Sequence, residues 1–475
     1  MRIRRGMKVG QFAVVVMTSC APGGPALVGH TPKAKSNAPI AVAPVVGAPT
    51  IPTLAAQSER TSSVPISSTQ HQSASAVPSR VRDVFAGSEF SCVLFEDGRA
   101  KCWGANGISG FLGVGDTRDR GGQKGDMGSN LQSIDLGSGL RIRQMSVGDY
   151  HACAVLEDGR VKCWGNNRLG ELGLGDTRAR GGRGGEMGDA LPFVDLGTNP
   201  RALMVSAGNA RTCAVLDDGK IKCWGDGIGD AVGEMGDALA SVPLQEAATH
   251  VVASFTTSGG DSGGTACAIV ASGDVACWKL IAGQMRPHIE YSDRTPTRRV
   301  VSITGEGQPC ALLADGDFVC AYVGTLDDNA RIKAHGRIFS GFGPMTAFSG
   351  ARSSSACALN KVGQVGCIVS TSWEYPSSSE YGLRGLAAGE PPPIRISEGV
   401  TKARFGPNGF VSLGKGRRAM RIALGDYHAC ALLDDGSVKC WGSNRFGQLG
   451  LGDTRDRGVH ANEMGDHLPA VDVGP

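Results

Sequence analysis

Short apolar runs on either side of a tight polar turn recur along the chain. In the clearest copy, Cys153–Cys163, Ala-Val-Leu precedes the turn Glu-Asp-Gly and Val161 follows it. A three-residue loop with glycine at its left-handed third position is typical of a β-hairpin. Counting outward from that turn, Val155 faces Val161, and two positions further Cys153 faces Cys163. The pattern predicts a hairpin whose cysteines lie side by side at a non-hydrogen-bonded pair.

Fourteen of the fifteen cysteines repeat this arrangement as seven pairs, with a glycine six residues after each first cysteine. Directly opposed positions bring Cα atoms within disulfide range. Structural zinc sites favour ligands two to four residues apart, which nine intervening residues do not match. The sequence therefore predicts one disulfide in each hairpin. The predicted pairs are Cys92 with Cys102, Cys153 with Cys163, Cys213 with Cys223, Cys267 with Cys277, Cys310 with Cys320, Cys357 with Cys367 and Cys430 with Cys440.

Two further short strands precede the hairpin in the clearest repeats, which makes about four strands per repeat. Gln144–Gly148 is one example, and Ile134–Gly137 lies ahead of it. Repeats of this length built from four strands are typical of propeller blades. The predicted fold class is all-β, a seven-bladed β-propeller with one disulfide-bridged hairpin per blade. A solenoid would need atypical polar caps at its ends, whereas here the second and last repeats are nearly identical.

The two ends of the repeat pattern complement each other. No leading strand precedes Cys92 at the expected distance, while Val471–Gly474 has the pattern of such a strand and no repeat follows it. We therefore expect the C-terminal strand to pair into the first blade, which begins near Val81, and so to close the ring.

The first twenty residues have the pattern of an export signal. A positive region that includes Arg2 and Lys8 precedes the short apolar run Val9–Ser19, and Met-Thr-Ser-Cys at its end resembles a lipobox. We expect a signal peptide over residues 1–20 with lipidation of Cys20. Ordinary cleavage that discards this cysteine is the alternative. Export would place the chain in a bacterial cell envelope, on the periplasmic side or the cell surface, where disulfides form.

Composition separates a tether from the folded part. Residues 21–80 are rich in Pro, Ala, Ser and Thr, include nine prolines and lack any periodic pattern, so we predict a disordered tether there. The propeller domain is predicted over residues 81–475. Its many short strands suit the 71 glycines and the aromatic share of 5%.

Charge and hydropathy argue against nucleic acid and a membrane-spanning segment as ways in which the body of the chain binds partners. A net charge of +3 from 48 basic and 45 acidic residues is nearly balanced, so no nucleic-acid partner is expected. No apolar stretch of about 18 residues lies in the body of the chain, so membrane contact is expected only through the N-terminal anchor. We expect a monomer.

Several repeats carry a longer shared motif. Gly425–Asp453 resembles the regulator of chromosome condensation repeat, as do Gly148–Asp176, Gly87–Asp116 and, in part, Ala207–Asp226. The resemblance is strong over residues 81–245 and 420–475 and weak over 246–419. It implies a seven-bladed propeller. The nucleotide exchange known in that family is not expected of an exported chain. Five tryptophans directly follow the second cysteine of a pair, which predicts packing beside the disulfide: Trp103, Trp164, Trp224, Trp278 and Trp441.

Two recurring polar features could be mistaken for chemical sites. His151 and His428 occupy the same place in Gly-Asp-Tyr-His-Ala-Cys, which favours a structural hydrogen bond over catalysis. The loop Gly175–Gly181, Gly-Asp-Thr-Arg-Ala-Arg-Gly, has arginines where a calcium loop needs oxygen ligands, so we interpret it as a loop that pairs its own charges. We predict no metal site and no cofactor.

No nucleophile elbow, phosphate loop or dinucleotide fingerprint occurs, so no catalytic residue is predicted. The divergent segments 278–309, 321–356 and 368–429 are the candidates for specificity, and Trp373, Tyr375 and Tyr381 are the candidate partner-binding residues. Aromatics that pack back on a blade are the alternative. The function expected is a non-enzymatic, exported, lipid-anchored scaffold that binds an unidentified protein through loops on a propeller face. A propeller that binds envelope carbohydrate, a protein inhibitor and an enzyme with a channel site are the alternatives.

Overall fold

The computed structural model is almost entirely strand and turn over the part of the chain that it describes, apart from four short 3₁₀ turns. No helix in that part is long and apolar enough to cross a membrane. The described residues are 79–226, 228, 231–253, 265–281, 284–291, 299–304, 310–316, 318–320, 337–338, 344–350, 355–369, 410–458 and 462–475.

Seven antiparallel sheets follow one another along the described residues, and each contains one of the predicted hairpins. Five have three strands and two have four, whereas the sequence predicted about four in each. The first three sheets are β1 (Val81–Ala86), β2 (Phe90–Phe95), β3 (Ala100–Gly104); β4 (Ile142–Val147), β5 (His151–Leu156), β6 (Val161–Gly165); and β7 (Ala202–Ala207), β8 (Arg211–Leu216), β9 (Ile221–Gly225). The other four are β10 (Ala248–Ala253), β11 (Thr265–Val270), β12 (Val275–Ile281), β13 (Gln284–Tyr291); β14 (Val300–Thr304), β15 (Cys310–Leu313), β16 (Phe318–Cys320), β17 (Arg337–Ile338); β18 (Met345–Gly350), β19 (Ser355–Asn360), β20 (Val365–Val369); and β21 (Ala419–Leu424), β22 (His428–Leu433), β23 (Val438–Gly442).

The predicted hairpin register is confirmed. Val155 lies opposite Val161, and Cys153 lies opposite Cys163. Gly159 provides the left-handed position of the turn, with φ of +85°. Six of the predicted disulfides are present, with Cα–Cα distances of 4.0 to 4.1 Å. For the remaining pair, the backbone register sets Cys310 opposite Cys320.

The predicted leading strands belong to the preceding sheet and not to the following one. Ile134 N–H donates to Ala100 O of β3 at 2.8 Å, so this segment lies along the outer edge of the first sheet. The chain leaves β3 through a long loop and returns along the edge it has just left, whose backbone groups would otherwise be unpaired. The same bond joins Val194 with Val161, Val242 with Ile221, Val411 with Val365 and Val471 with Val438.

The prediction that the C-terminal strand pairs into the first sheet is therefore wrong. Val471 N–H donates to Val438 O of β23, in the last sheet, because this segment returns along the edge of its own hairpin. It still contacts the first repeat, where Gly128 N–H donates to Asp472 O at 2.8 Å. The first and last sheets also pack together directly, since β1 contacts both β21 and β22.

At five junctions between neighbouring sheets of the described residues, a tryptophan of one sheet packs beside the disulfide of the other. Trp164 is fully buried in a cluster with Cys92 and Cys102 of the preceding sheet. Successive side chains on a strand point to opposite faces, so a tryptophan next to a cysteine faces away from its own disulfide. Packing beside a disulfide is confirmed, but the disulfide is the neighbour's. The same arrangement joins Trp224 with Cys153 and Cys163, Trp278 with Cys213 and Cys223, Trp441 with Cys357 and Cys367, and Trp103 with Cys430 and Cys440.

Candidate interaction surface on the long loops

Three similar long loops leave the sheets at the strand ends opposite the hairpin turns. Loop 1 (residues 105–133) follows β3, loop 2 (166–193) follows β6 and loop 7 (443–470) follows β23. A shorter loop 3 (226–241) follows β9. Each of the four includes one 3₁₀ turn, so the loops share a common plan although loop 3 is shorter.

A buried asparagine braces each of the three long loops from inside. In loop 2, Asn167 Oδ1 accepts from Leu172 N–H at 2.9 Å, and Nδ2 donates to Asp176 O at 2.8 Å. Asn106 and Asn444 make the equivalent bonds in the other two loops. These bonds satisfy an amide that is fully buried, so they hold each loop in one conformation.

An aspartate and a buried arginine make the second brace, which confirms that the loops pair their own charges. Arg180 donates to Asp176 Oδ2 at 2.7 Å and to Arg178 O at 2.6 Å. In loop 1, hydrogen bonds from Arg120 hold the pKa of Asp116 below its ordinary value. The corresponding ion pairs join Asp116 with Arg120 and Asp453 with Arg457.

The long loops also contact one another. Gly115 N–H of loop 1 donates to Gly181 O of loop 2 at 3.1 Å, and Gly452 N–H of loop 7 donates to Gly121 O of loop 1 at 2.9 Å. A Cβ atom at Gly110 would overlap the backbone of Gly181, so this approach needs glycine. Loops 7, 1 and 2 therefore form one continuous row.

Exposed apolar side chains lie on this row. Ile108 at the tip of loop 1 is 87% exposed, and Leu169 at the tip of loop 2 is 43% exposed. Tyr150, in the turn between β4 and β5, is 38% exposed, and its ring centroid lies 5.6 Å from that of the half-buried Phe111. Sequence reasoning missed these residues, although an isolated apolar residue in a polar, glycine-rich loop was the available signal.

The two recurrent histidines are structural. His151 is fully buried, and its Nε2 lies 2.8 Å from Thr212 Oγ1 on the next sheet. The hydroxyl donates to Glu171 O at 2.9 Å, so it accepts from the imidazole. His428 makes the same contact with Ser91 of the first sheet, at 2.8 Å. The predicted structural hydrogen bond is confirmed in both copies.

Burial also changes the protonation of these histidines. It lowers the pKa of His151 to about 4 and that of His428 to about 3, because each charged imidazolium would lie away from water. Both rings are therefore neutral at pH 7. Neither reaches solvent, so neither is placed to act as an acid or base on a ligand.

The structure does not describe the three aromatic residues that the sequence predicted for partner binding. Trp373, Tyr375 and Tyr381 lie outside the described residues, as do Cys20, the predicted signal peptide and nearly all of the predicted tether.

Comparison with known proteins agrees with this geometry. The model of the regulator of chromosome condensation (RCC1) repeat matches residues 81–107, 142–171, 205–227 and 421–448. Over 91 residues, 19% of this chain and 18% of the relative, the chain is 40% identical to the ultraviolet-B receptor UVR8 of Arabidopsis thaliana. Over 156 residues, 32% of this chain and 28% of the relative, it is 29% identical to the protein pim1 of Schizosaccharomyces pombe.

Similarity to a solved structure extends over more of the chain. The structure of human WBSCR16 has a TM-score of 0.52 and 18% identity to this chain, and the match covers 78% of this chain and 93% of that one. At this identity the match speaks for the fold alone. The matched segments span less than a third of the length of the two curated relatives.

The successive hairpin sheets and their tryptophan–disulfide contacts define a propeller-type repeat protein. More particularly, four of its repeats match the model of the regulator of chromosome condensation repeat.

Proposed function

We propose that this chain forms a closed, seven-bladed propeller that acts as a non-enzymatic protein-interaction scaffold. Repeats of this family generally mediate protein–protein interactions. Closure is supported by the contacts between the last and first sheets, which repeat those between consecutive sheets. Trp103 of the first sheet packs beside the disulfide between Cys430 and Cys440 of the last sheet, as Trp164 packs on the sheet before it.

The observation that carries the proposed function is the row formed by loops 7, 1 and 2. Each loop is braced by its own asparagine and its own aspartate–arginine pair, so little conformational entropy would be lost on binding. Ile108, Tyr150 and Leu169 are exposed on these loops and neighbouring turns. Exposed apolar and aromatic side chains on a rigid support are typical anchors of a protein interface.

The proposal includes the site of action. A signal peptide with lipidation of Cys20 would tether a monomeric propeller to the membrane of a bacterial envelope through residues 21–80. The disulfide-bridged hairpins fit such an oxidising location. We propose that Trp373, Tyr375 and Tyr381 add a second set of contacts to the partner.

The experiment is affinity capture of a crosslinked partner from an envelope extract. The wild-type protein is compared with Ile108→Ser/Tyr150→Ser. The control is Leu203→Ser, which removes an apolar side chain that is 47% exposed on β7, away from the loops. We expect the double variant to lose the partner and the control to keep it. Capture that is equal for all three proteins would overturn the assignment to this row.

Two further variants test the remaining parts of the proposal. Deleting residues 368–400 should weaken capture of the same partner, and unchanged capture would exclude Trp373, Tyr375 and Tyr381. Cys20→Ala should abolish labelling by a fatty acid and release the protein from membranes. Labelling that persists in this variant would contradict the anchor.

A further inference from the structure

Loop 2 uses all of its carboxylates for bonds within the fold. Glu171 is buried and accepts from Asn166 Nδ2 at 2.7 Å and from Leu169 N–H at 2.8 Å. Glu186 accepts from two backbone amides of its own loop, at 3.1 and 3.2 Å. Asp189 accepts from the backbone and side chain of a serine after the first sheet, at 3.0 Å. The fourth, Asp176, pairs with buried Arg180, as described above.

The cations of the same loop are placed differently. Arg168, Arg178 and Arg183 are exposed, and none forms an ion pair with any described residue. Four acidic and four basic residues make the formal charge of loop 2 zero. Because three of the four arginines extend outward while the carboxylates are hydrogen-bonded, the groups available to a partner are mainly guanidinium groups.

Loop 2 differs in this respect from the loops beside it. All three long loops contain the sequence Asp-Thr-Arg-x-Arg. At position x, loop 1 has Asp119 and loop 7 has Asp456, and each carboxylate accepts from the backbone N–H of the bracing asparagine. Loop 2 has Ala179 there. Arg118 of loop 1 also pairs with a carboxylate, that of Asp126, at 2.8 Å. Only loop 2 of these three therefore carries several unpaired arginines among the described residues.

An apolar surface adjoins loop 2 beside Arg183. Gly182, next to Arg183, lies against the backbone of Ile108, where a Cβ atom would be 3.0 Å from the carbonyl oxygen. On the other side of loop 2, Asn166 N–H donates to Tyr150 O at 2.8 Å. The contact of Tyr150 with Phe111 completes this surface between loops 1 and 2.

We propose that the surface between loops 1 and 2 binds an acidic segment of a partner protein. Carboxylates of that segment would contact the arginines of loop 2, and an apolar or aromatic side chain of the same segment would contact the adjoining apolar surface. Guanidinium groups bind carboxylates in a bidentate manner and also stack on aromatic rings. This inference rests on the proposed function and adds the chemistry of the partner. Because the loop has no formal excess of charge, the attraction is local and depends on direct contact.

The experiment measures binding of fluorescent random copolymers to the purified protein by anisotropy. A glutamate–tyrosine copolymer is compared with a lysine–tyrosine copolymer and with a DNA duplex of similar length. The test variant is Arg178→Gln/Arg183→Gln. Its matched control is Arg141→Gln/Arg201→Gln, which removes the same charge from exposed arginines at the hairpin-turn ends of the sheets.

We expect the acidic copolymer to bind, the basic copolymer not to bind, and the test variant to raise Kd about tenfold, equivalent to about 1.4 kcal/mol. The control should bind like the wild type, and both variants should keep the wild-type melting temperature. Absence of binding to the acidic copolymer, or equal weakening in both variants, would overturn the inference. Tighter binding of the duplex would assign the surface to nucleic acid instead. Capture of a partner that depends on Ile108 but not on Arg178 or Arg183 would support the proposed function while rejecting this inference.

Discussion

The junction between the second and third sheets and the junction between the seventh and first sheets are built alike. In the first, His151 donates to Thr212, and Trp224 Nε1–H donates to Glu171 O at 2.9 Å. In the second, His428 donates to Ser91. There, the indole N–H of Trp103 donates to a main-chain oxygen, Gln448 O, at 3.0 Å.

The two junctions differ in covalent connection. A short segment, residues 198–201, joins the second and third sheets along the chain, whereas within the described residues only noncovalent contacts hold the seventh sheet to the first. A sheet that is tethered by a short linker re-forms a lost contact at high effective concentration. The same substitution should therefore have a larger effect at the junction between the seventh and first sheets, and this difference can be measured.

Deleting residues 471–475 should have the largest effect. The deletion removes the edge of the last sheet and the acceptor of Lys101, whose Nζ donates to Val473 O at 2.8 Å. Lys101 is only 4% exposed, so its ammonium would lose a buried partner. We expect a loss of about 5 kcal/mol or more in the free energy of unfolding, measured by urea titration, because a buried cation and a sheet edge lose their partners together. Asp472→Asn, which keeps the backbone carbonyls, is the control, and an equal effect of both changes would contradict a structural role for the tail.

Truncating one tryptophan at each junction compares the two directly. Trp103→Ala and Trp224→Ala each remove a fully buried side chain, so each should cost about 3 to 5 kcal/mol. We expect the change at Trp103 to cost more and to raise amide exchange in both the first and the seventh sheet. The change at Trp224 should raise exchange mainly in the second and third sheets. Exchange that spreads equally in both variants would show that covalent connection makes no difference.

Sequence reasoning was successful where a feature depends on neighbours along the chain. The hairpin register follows from a turn of fixed length, so the opposition of Cys153 and Cys163 could be derived by counting. The self-paired charges of Asp176 and Arg180 were also local, since four residues separate them. Seven cysteine pairs likewise indicated the seven sheets of the described structure.

Sequence reasoning was unsuccessful where a segment could pair with either of two sheets. An extended segment such as Ile134–Gly137 has the same pattern whichever sheet edge it joins, so its assignment to the following sheet was wrong. Sequence reasoning missed the exposed arginines of loop 2 for another reason. Its formal charge is zero, and only the hydrogen bonds of Glu171, Glu186 and Asp189 reveal which charges remain available.

Protonation of the buried histidines should have the smallest effect on stability at pH 7. Its effect on stability appears only in acid. Their pKa values of about 4 and about 3 lie below the ordinary value of 6.5, so the unfolded chain takes up protons first. The stabilisation is complete above pH 6.5 and is lost as the pH falls toward the folded-state values. At 1.36 kcal/mol per pKa unit, each histidine accounts for about 3 to 5 kcal/mol over that range.

Replacing each histidine by glutamine separates this titration from the hydrogen bond. An amide can still donate to Ser91 or Thr212 but does not titrate. We therefore expect His428→Gln and His151→Gln each to flatten the fall in melting temperature between pH 6.5 and about 4, measured by circular dichroism. At low pH the gain should be larger for His428→Gln, because protonation of His428 weakens the junction between the seventh and first sheets, which no short segment of the described residues joins. Melting curves that keep the wild-type pH dependence in both variants would show that other groups control acid unfolding, and an equal gain in both would remove the distinction between the junctions.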